Sequence, residues 1–277
     1  MPKQLVISFD IDTHKCIRDG VPNLVKLANE TGVKFTFFLN TGRSISVKES
    51  LKQLLGKTDG EVEAAAHMSA MQKLGKRDYL LAAIVNPKLR IYKKQIRELI
   101  DSGCEVGLHG GRNHALWACH SKDYSPEQIK AELKEAIDSI KKIDNRFAPK
   151  GFASPEWKST DCLPGVLKEL GFEYFRDNHG LDQEEIRYGK ELPEMFVNLL
   201  GEPGGVAFFE NERSNHRTTE EIVEDVLEAI QKHDTTVLYD HPYYAGGNEI
   251  ETIRLIIECA KEQGIKIVTL GEVLRLN

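Results

Sequence analysis

Short apolar runs and amphipathic stretches alternate along the chain. Leu5-Val6-Ile7-Ser8-Phe9 reads as a buried strand that stops at Asp10-Ile11-Asp12. A helix is predicted next, with Pro22 in its first turn, Leu24, Leu27 and Ala28 on one face, and Gly32 at its end. Val33 to Leu39, rich in Phe and β-branched residues, predicts a second strand, closed by Asn40-Thr41-Gly42. The alternation recurs in a helix from about Ile91 to Gly103, a strand over Cys104 to Leu108, and a helix opened by Ser125-Pro126-Glu127-Gln128. There Ser125 and Gln128 can exchange the two bonds of a capping box. A helix over Leu163 to Leu170, strands at Phe172 to Phe175 and Val206 to Phe209, and a helix capped by Thr218 and Glu221 follow. A strand at Thr236 to Tyr239, a helix from Ile250 to Gln263 and a last strand from Ile265 to Thr269 complete the pattern. Repeated β-then-α units call for a parallel sheet, and their number suits a closed or nearly closed α/β barrel.

One interval breaks the rhythm, from Ser44 to about Pro87, and predicts a helical insertion over one barrel end. Its Ala64-Met68-Met71 and Leu80-Leu81-Ile84 segments read as core or lid packing, with a cradle for a lipid tail as the looser alternative. No low-complexity linker or clear internal repeat divides the chain, so residues 1–277 are expected to form one domain.

Composition narrows the class. At 277 residues, 40% hydrophobic and 29% charged, the chain is ordinary globular material. Thirty-seven Lys and Arg against 43 Asp and Glu give a net charge of −6, which argues against a nucleic-acid surface. The same sign opposes attraction to an anionic membrane unless Lys and Arg cluster locally. The longest uncharged stretches are about half of what a bilayer-spanning helix needs. Five scattered cysteines without a C-x-x-C pair read as reduced thiols, and the first apolar run is too brief for a signal peptide. A cytoplasmic protein is expected, with a peripheral place at the inner membrane face if its substrate is lipid-linked.

Candidate chemistry sits just past the predicted strands. Asp10 and Asp12 follow the first, His109 and His114 the one ending at Leu108, Asp177 and His179 the one ending at Phe175, and Asp240 and His241 the one ending at Tyr239. Singly, each has a structural reading: an Asp beyond a strand caps helices and forms turns. Together, carboxylates and imidazoles at strand ends form the donor set of a divalent first-row metal. Alternation also points Asp10 and Asp12 the same way, where their repulsion calls for a cation or a proton.

Phe9-Asp10-Ile11-Asp12, Glu105-Val106-Gly107-Leu108-His109 with His114 downstream, and Leu238-Tyr239-Asp240-His241 resemble, in order and spacing, the motifs of the polysaccharide deacetylase (NodB-homology, carbohydrate esterase family 4) superfamily. Within it the chain is most similar to the 4-deoxy-4-formamido-L-arabinose-phosphoundecaprenol deformylases. Arg18-Asp19-Gly20-Val21-Pro22, Asp78-Tyr79-Leu80-Leu81-Ala82 and Glu262-Gln263-Gly264-Ile265 extend the likeness.

The resemblance implies a distorted (β/α)7 barrel and metal-dependent removal of a formyl or acetyl group from an amino sugar, with or without a polyprenyl-phosphate carrier. It implies one divalent ion, zinc first, with Co2+, Ni2+, Mn2+ or Fe2+ as alternatives. Asp12, His109 and His114 would hold it, Asp10 would be the base and His241 the acid, and Glu156, Trp157 and Asp177 would line the substrate site.

Two departures stand out. The family's two histidines lie four residues apart, whereas here Asn113 stands four after His109 and His114 five after it. His114 is favoured as the stronger donor, with Asn113 as the alternative. The third motif usually carries an arginine that orients the base. The matching stretch, Phe152-Ala153-Ser154-Pro155-Glu156-Trp157, has none, so that partner is unassigned. His14, His67, His120, His179, His216 and His233 match no motif and read as structural or surface residues. The second functional reading is a non-catalytic carbohydrate-binding protein with an impaired metal site. A metallo-phosphoesterase ranks third, because such sites use more histidines and bridging carboxylates.

Overall fold

Alternation along the first strand, β1 (Gln4–Ile11), decides which side chains look inward. Leu5, Ile7, Phe9 and Ile11 join the outer core under the helices, while Val6, Ser8 and Asp10 face the barrel interior. All eight residues of β1 are buried, as a central parallel strand requires. The computed structural model describes residues 3–46, 48, 70–181, 183–201 and 205–276, with backbone only at 70–74.

The remaining strands are β2 (Thr36–Leu39), β3 (Glu105–His109), β4 (Gly151–Ala153), β5 (Tyr174–His179), β6 (Ile186–Tyr188), β7 (Pro193–Val197), β8 (Thr235–Asp240) and β9 (Lys266–Ile267). Their order is β6-β7-β5-β4-β3-β2-β1-β8, with β9 against the start of β1. Every pairing is parallel except β6 with β7. Just beyond β7 the Leu199 amide donates to Val237, and Tyr239 donates to Leu199, which brings the end of β7 to β8. The ring β1-β2-β3-β4-β5-β7-β8 is a distorted seven-stranded barrel of parallel strands. The fold expected from the motifs is the fold observed.

Helices over Val21–Thr31, Lys93–Asp101, Pro126–Lys141, Leu163–Glu169, Thr219–Lys232 and Ile250–Glu262 cover the outside. Both predicted capping boxes are present, Ser125 with Gln128 and Thr218 with Glu221. Each cap is worth about 1 kcal/mol. Inside, Val6, Phe38, Tyr174, Met195, Val237 and Tyr239 pack as one cluster. Opposite, a backbone contact closes one side of the mouth. A Cβ on Gly20, at the end of the π-turn Cys16–Gly20, would lie 1.8 Å from Pro242 O, and one on Gly246 would lie 2.3 Å from Gly20 O.

Three expectations need correction. Val206 to Phe209 is not a strand: Val206 makes a single bridge to Gly201, and a helix runs from Phe208 to Ser214. Phe208, Phe209 and Glu210 are buried on one turn of it, and apolar runs this short do not separate strand from buried helix. Leu80 and Ile84 are not core: they are 56% and 79% exposed on the helix Ala70–Ile84, while Leu81 is half-buried. Finally, Ile265 to Thr269 forms only the two-residue β9 before a helix over Leu270–Leu276. His67 and most of the insertion before Ala70, including Ala64 and Met68, lie outside the described residues.

Candidate metal centre

Two strand ends and one helix start deliver the centre. Asp12 leaves β1, His109 ends β3, and His114 opens the helix His114–His120, all at the C-terminal mouth of the barrel. One donor atom from each lies within 4.8 Å of the other two. His109 Nε2 is 3.1 Å and His114 Nε2 3.5 Å from Asp12 Oδ1. Asp12 Oδ1 is buried and accepts no well-aligned hydrogen bond. His109 Nδ1 lies 2.9 Å from Ala153 O, an acceptor only, so Nδ1 carries the proton and Nε2 presents its lone pair to the cluster.

The extra residue between the two imidazoles is used locally. Asn113 is the N-cap of the His114 helix: its Oδ1 accepts from Leu116 N at 3.0 Å and its Nδ2 donates to Ile45 O at 3.1 Å. Its amide oxygen is thus engaged, whereas His114 faces Asp12. Burial works against the charge on Asp12, but His114 and His241 outweigh it and hold this carboxyl well below the usual range. Burial likewise opposes the charge on His114, and Asp12 reverses the balance and raises it.

Asp10 lies one step deeper, with Oδ2 at 4.0 Å from His109 Nε2. Arg176 Nη2 reaches both of its oxygens, with Oδ2 at 2.5 Å, and Arg176 Nη1 donates to Ser8 Oγ at 3.1 Å. Sequence reasoning missed this arginine. It belongs to β5, where its register partner is Ala153, inside the stretch that lacks one. The available signal was a lone cation after Tyr174-Phe175 in a strand-like run. The guanidinium is fully buried and lies over the rings of Phe38, Trp157 and Tyr239, at 4.6, 5.1 and 5.2 Å.

His241 stands on the other side of Asp12, with Nε2 3.1 Å from Asp12 Oδ2 and 3.1 Å from the Tyr239 hydroxyl. Its Nδ1 lies 2.9 Å from Glu210 Oε1, a second residue the sequence did not expose, because its segment was read as following a strand. Asp240 positions the pair. It accepts from His241 N at 2.7 Å and from Phe209 N at 2.6 Å, fixing the backbone on both sides. Burial, aided by Glu210, pushes the Asp240 carboxyl well up.

The three residues expected to line the substrate site separate. Trp157 stacks edge-on to His179 and Tyr239, with centroids at 4.9 and 5.1 Å, and forms a wall beside Arg176. His179, read from sequence as outside the site, therefore joins that wall. Glu156 is exposed and pairs with Lys158 at 2.9 Å. Asp177 follows Arg176 on β5 and so faces the opposite side of the sheet, where Ser159 Oγ donates to it. Burial raises its carboxyl to about 6. Among its hydrogen-bond partners is Ser159, whereas Arg176 reaches Asp10. His14 is buried, with Nε2 3.2 Å from Asp78, and Arg18 holds the same carboxylate at 2.9 and 3.0 Å.

The family model for polysaccharide deacetylases matches residues 1–175. A probable 4-deoxy-4-formamido-L-arabinose-phosphoundecaprenol deformylase of Shewanella sediminis is 24% identical over 63% of this chain and 56% of its own length. A peptidoglycan deacetylase of Helicobacter pylori is 28% identical over 37% of this chain and 33% of its own. The chain thus spans about half, and a third, of these curated relatives. Among solved structures, a protein from Mycobacterium smegmatis assigned to the polysaccharide deacetylases superposes with a TM-score of 0.62 at 16% identity, over 99% of this chain and 90% of that one. A carbohydrate esterase family 4 pseudoenzyme of Bacillus anthracis gives 0.56 at 15% identity, over 99% and 66%. A family 4 acetyl xylan esterase of Clostridium thermocellum in complex with cobalt gives 0.53 at 17% identity, over 99% and 91%.

Proposed function

The chain belongs to the polysaccharide deacetylase family, and on that premise we propose that it is a metal-dependent hydrolase removing a formyl or acetyl group from the nitrogen of an amino sugar. The observation that carries the reading is the convergence of Asp12, His109 and His114 beside Asp10, whose own partner is a buried arginine. The donors fit a divalent ion. A buried carboxylate oxygen without an aligned hydrogen bond, and an imidazole whose other nitrogen is committed to a carbonyl, are groups a cation satisfies. Zinc is assigned first, and Co2+, Ni2+, Mn2+ and Fe2+ suit the same donors. Held there, such an ion supplies a water of lowered pKa and polarises the acyl carbonyl.

The remaining steps belong to the chain's own side chains. Asp10 accepts the proton that the attacking water gives up. Arg176 engages both oxygens of that carboxylate and so fixes the direction from which it takes the proton. His241, on the far side of Asp12, donates a proton to the amine as it departs, which an amide requires because the unprotonated amine is a poor leaving group. Glu210 orients the ring through Nδ1. Trp157 offers an aromatic face to the sugar. The Shewanella sediminis relative is named for a formamido sugar on phosphoundecaprenol. The acylated amino sugar is the part of that substrate carried over here.

The complete donor set and the arginine supplied by β5 favour this reading over a disabled, binding-only protein. It is tested by measuring bound metal and the release of formate and acetate from N-acylated amino sugars. The parent and the variants Asp10→Asn, Asp12→Ala and His241→Ala are compared. Expected are one ion per chain, its loss in Asp12→Ala, and its retention without activity in Asp10→Asn. Protein that binds no divalent ion under any condition tried would overturn the proposal.

A further inference from the structure

The helix Ala70–Ile84 wears its amphipathicity inside out. Ala82 is fully buried, and Asp78, one turn earlier, is held against the protein by Arg18 and His14. Leu80 and Ile84, one turn apart on the other side, are exposed, as is Arg77, three residues before Leu80. Val85 and Ile91, close by in the chain, are exposed at 58% each. Half of the exposed large apolar side chains among the described residues thus fall within a dozen positions, a concentration that a water-facing surface does not need.

The charge of the same stretch is also out of character. The protein carries −6 overall, yet residues 76–97 hold seven Lys and Arg against Asp78 alone, and Asp78 is already paired with Arg18. Lys76, Arg77, Lys93 and Lys94 are exposed, with Lys94 3.7 Å from Glu98, the next acidic residue along the chain. Basic residues beside an apolar stripe are the combination that partitions into the headgroup region of anionic lipids.

We propose that residues 75–94 dock the protein on an anionic bilayer, with Leu80, Ile84, Val85 and Ile91 entering the interface and the flanking lysines and arginine meeting the headgroups. The stretch is anchored beside the mouth of the barrel. Leu89 N donates to Gly42 O, just past β2, and Ile45 O accepts from both Asn86 and Asn113. Docking would therefore set the opening close to the lipid surface. The inference stands on exposure and charge and is independent of the hydrolase reading.

The test is co-sedimentation of the whole protein with vesicles of phosphatidylglycerol and phosphatidylcholine in equal parts, beside pure phosphatidylcholine, at low and at 0.5 M salt. Binding to the mixed vesicles is expected, weakened at high salt and weak on the neutral ones. Neutralising a basic residue near the surface lowers the partition coefficient about fivefold, so Lys76→Gln with Arg77→Gln lowers it roughly 25-fold. Leu80→Ser with Ile84→Ser lowers it at least tenfold on the order of methylene burial, with circular dichroism and metal content unchanged. Failure of the parent to bind anionic vesicles overturns the proposal. Binding that survives the Leu80/Ile84 pair unchanged also overturns it, since charge alone would then be at work, and so does equal binding to neutral vesicles.

Discussion

Replacing Arg176 by methionine isolates the contact that the β5 arginine makes with Asp10. The side chain is fully buried, and methionine keeps its length and much of its contact with Phe38, Trp157 and Tyr239. What disappears is the cation, which leaves Asp10, only 4% exposed, as a charge without its partner. Removing one member of a buried ion pair costs about 3–5 kcal/mol, a large share of the roughly 5–15 kcal/mol that holds a typical domain together. At about 2–4 °C per kcal/mol for a chain of this size, thermal unfolding should move down by about 6–20 °C. Asp10→Asn in the same background removes the stranded charge and should recover at least half of that loss, giving a coupling energy of attractive sign in the double-mutant cycle. Activity should fall by about 10²–10⁴ in Arg176→Met, and Arg176→Lys should restore part of it, since a lysine supplies charge without the second nitrogen that reaches Ser8. Scanning calorimetry and single-substrate kinetics on metal-loaded protein make the comparison. A methionine variant unfolding within about 2 °C of the parent, or one with full activity, would refute the reasoning.

Three further outcomes follow. Asn113→Ala should keep its metal while losing about 1 kcal/mol from the lost cap, whereas His114→Ala should lose the metal; plasma emission spectrometry of the dialysed proteins separates them, and the reverse pattern would make Asn113 the ligand. Glu210→Gln should slow an N-acyl amino sugar by at least tenfold while slowing an aryl formate or acetate less, because a phenolate leaves without needing the proton that His241 delivers. Asp177, raised by burial to about 6 against about 3.9 in an unfolded chain, binds its proton more tightly when folded, so its contribution to stability is largest at low pH and is lost as pH rises toward and through 6. Asp177→Asn should therefore gain up to about 3 kcal/mol at pH 8 and nothing at pH 4, as read from denaturant midpoints, and an equal shift at both values would contradict the assignment.

What the sequence made legible was whatever is local. The run ending in Asp10-Ile11-Asp12 exposes the acid pair because a buried strand can change character only at its end. Ser125 with Gln128, and Thr218 with Glu221, announce their helices because caps are built from neighbours. Arg176 was hidden because its meaning depends on which strand lies beside β4, and a linear reading holds no register. Glu210 was hidden for a related reason: Val206 to Phe209 suits a buried helical turn as well as a strand, and only the Asp240 contact to Phe209 shows which was chosen. The exposed face of the Ala70–Ile84 helix was misjudged because apolar spacing reveals a stripe but not whether protein or solvent lies against it.

The contact between Gly20 and the Pro242–Gly246 segment divides the opening into two halves with different futures. Around the ends of β1 and β8, backbone lies on backbone, and even a methyl group would have to displace the chain. No side chain fits at Gly20 or Gly246 without displacing backbone, and that is the half that supplies Asp12 and His241. The segment after β4 carries no such restriction at Glu156, which is already exposed. A descendant of this chain that came to accept a different sugar would carry its changes there, with the proton-handling side left as it is.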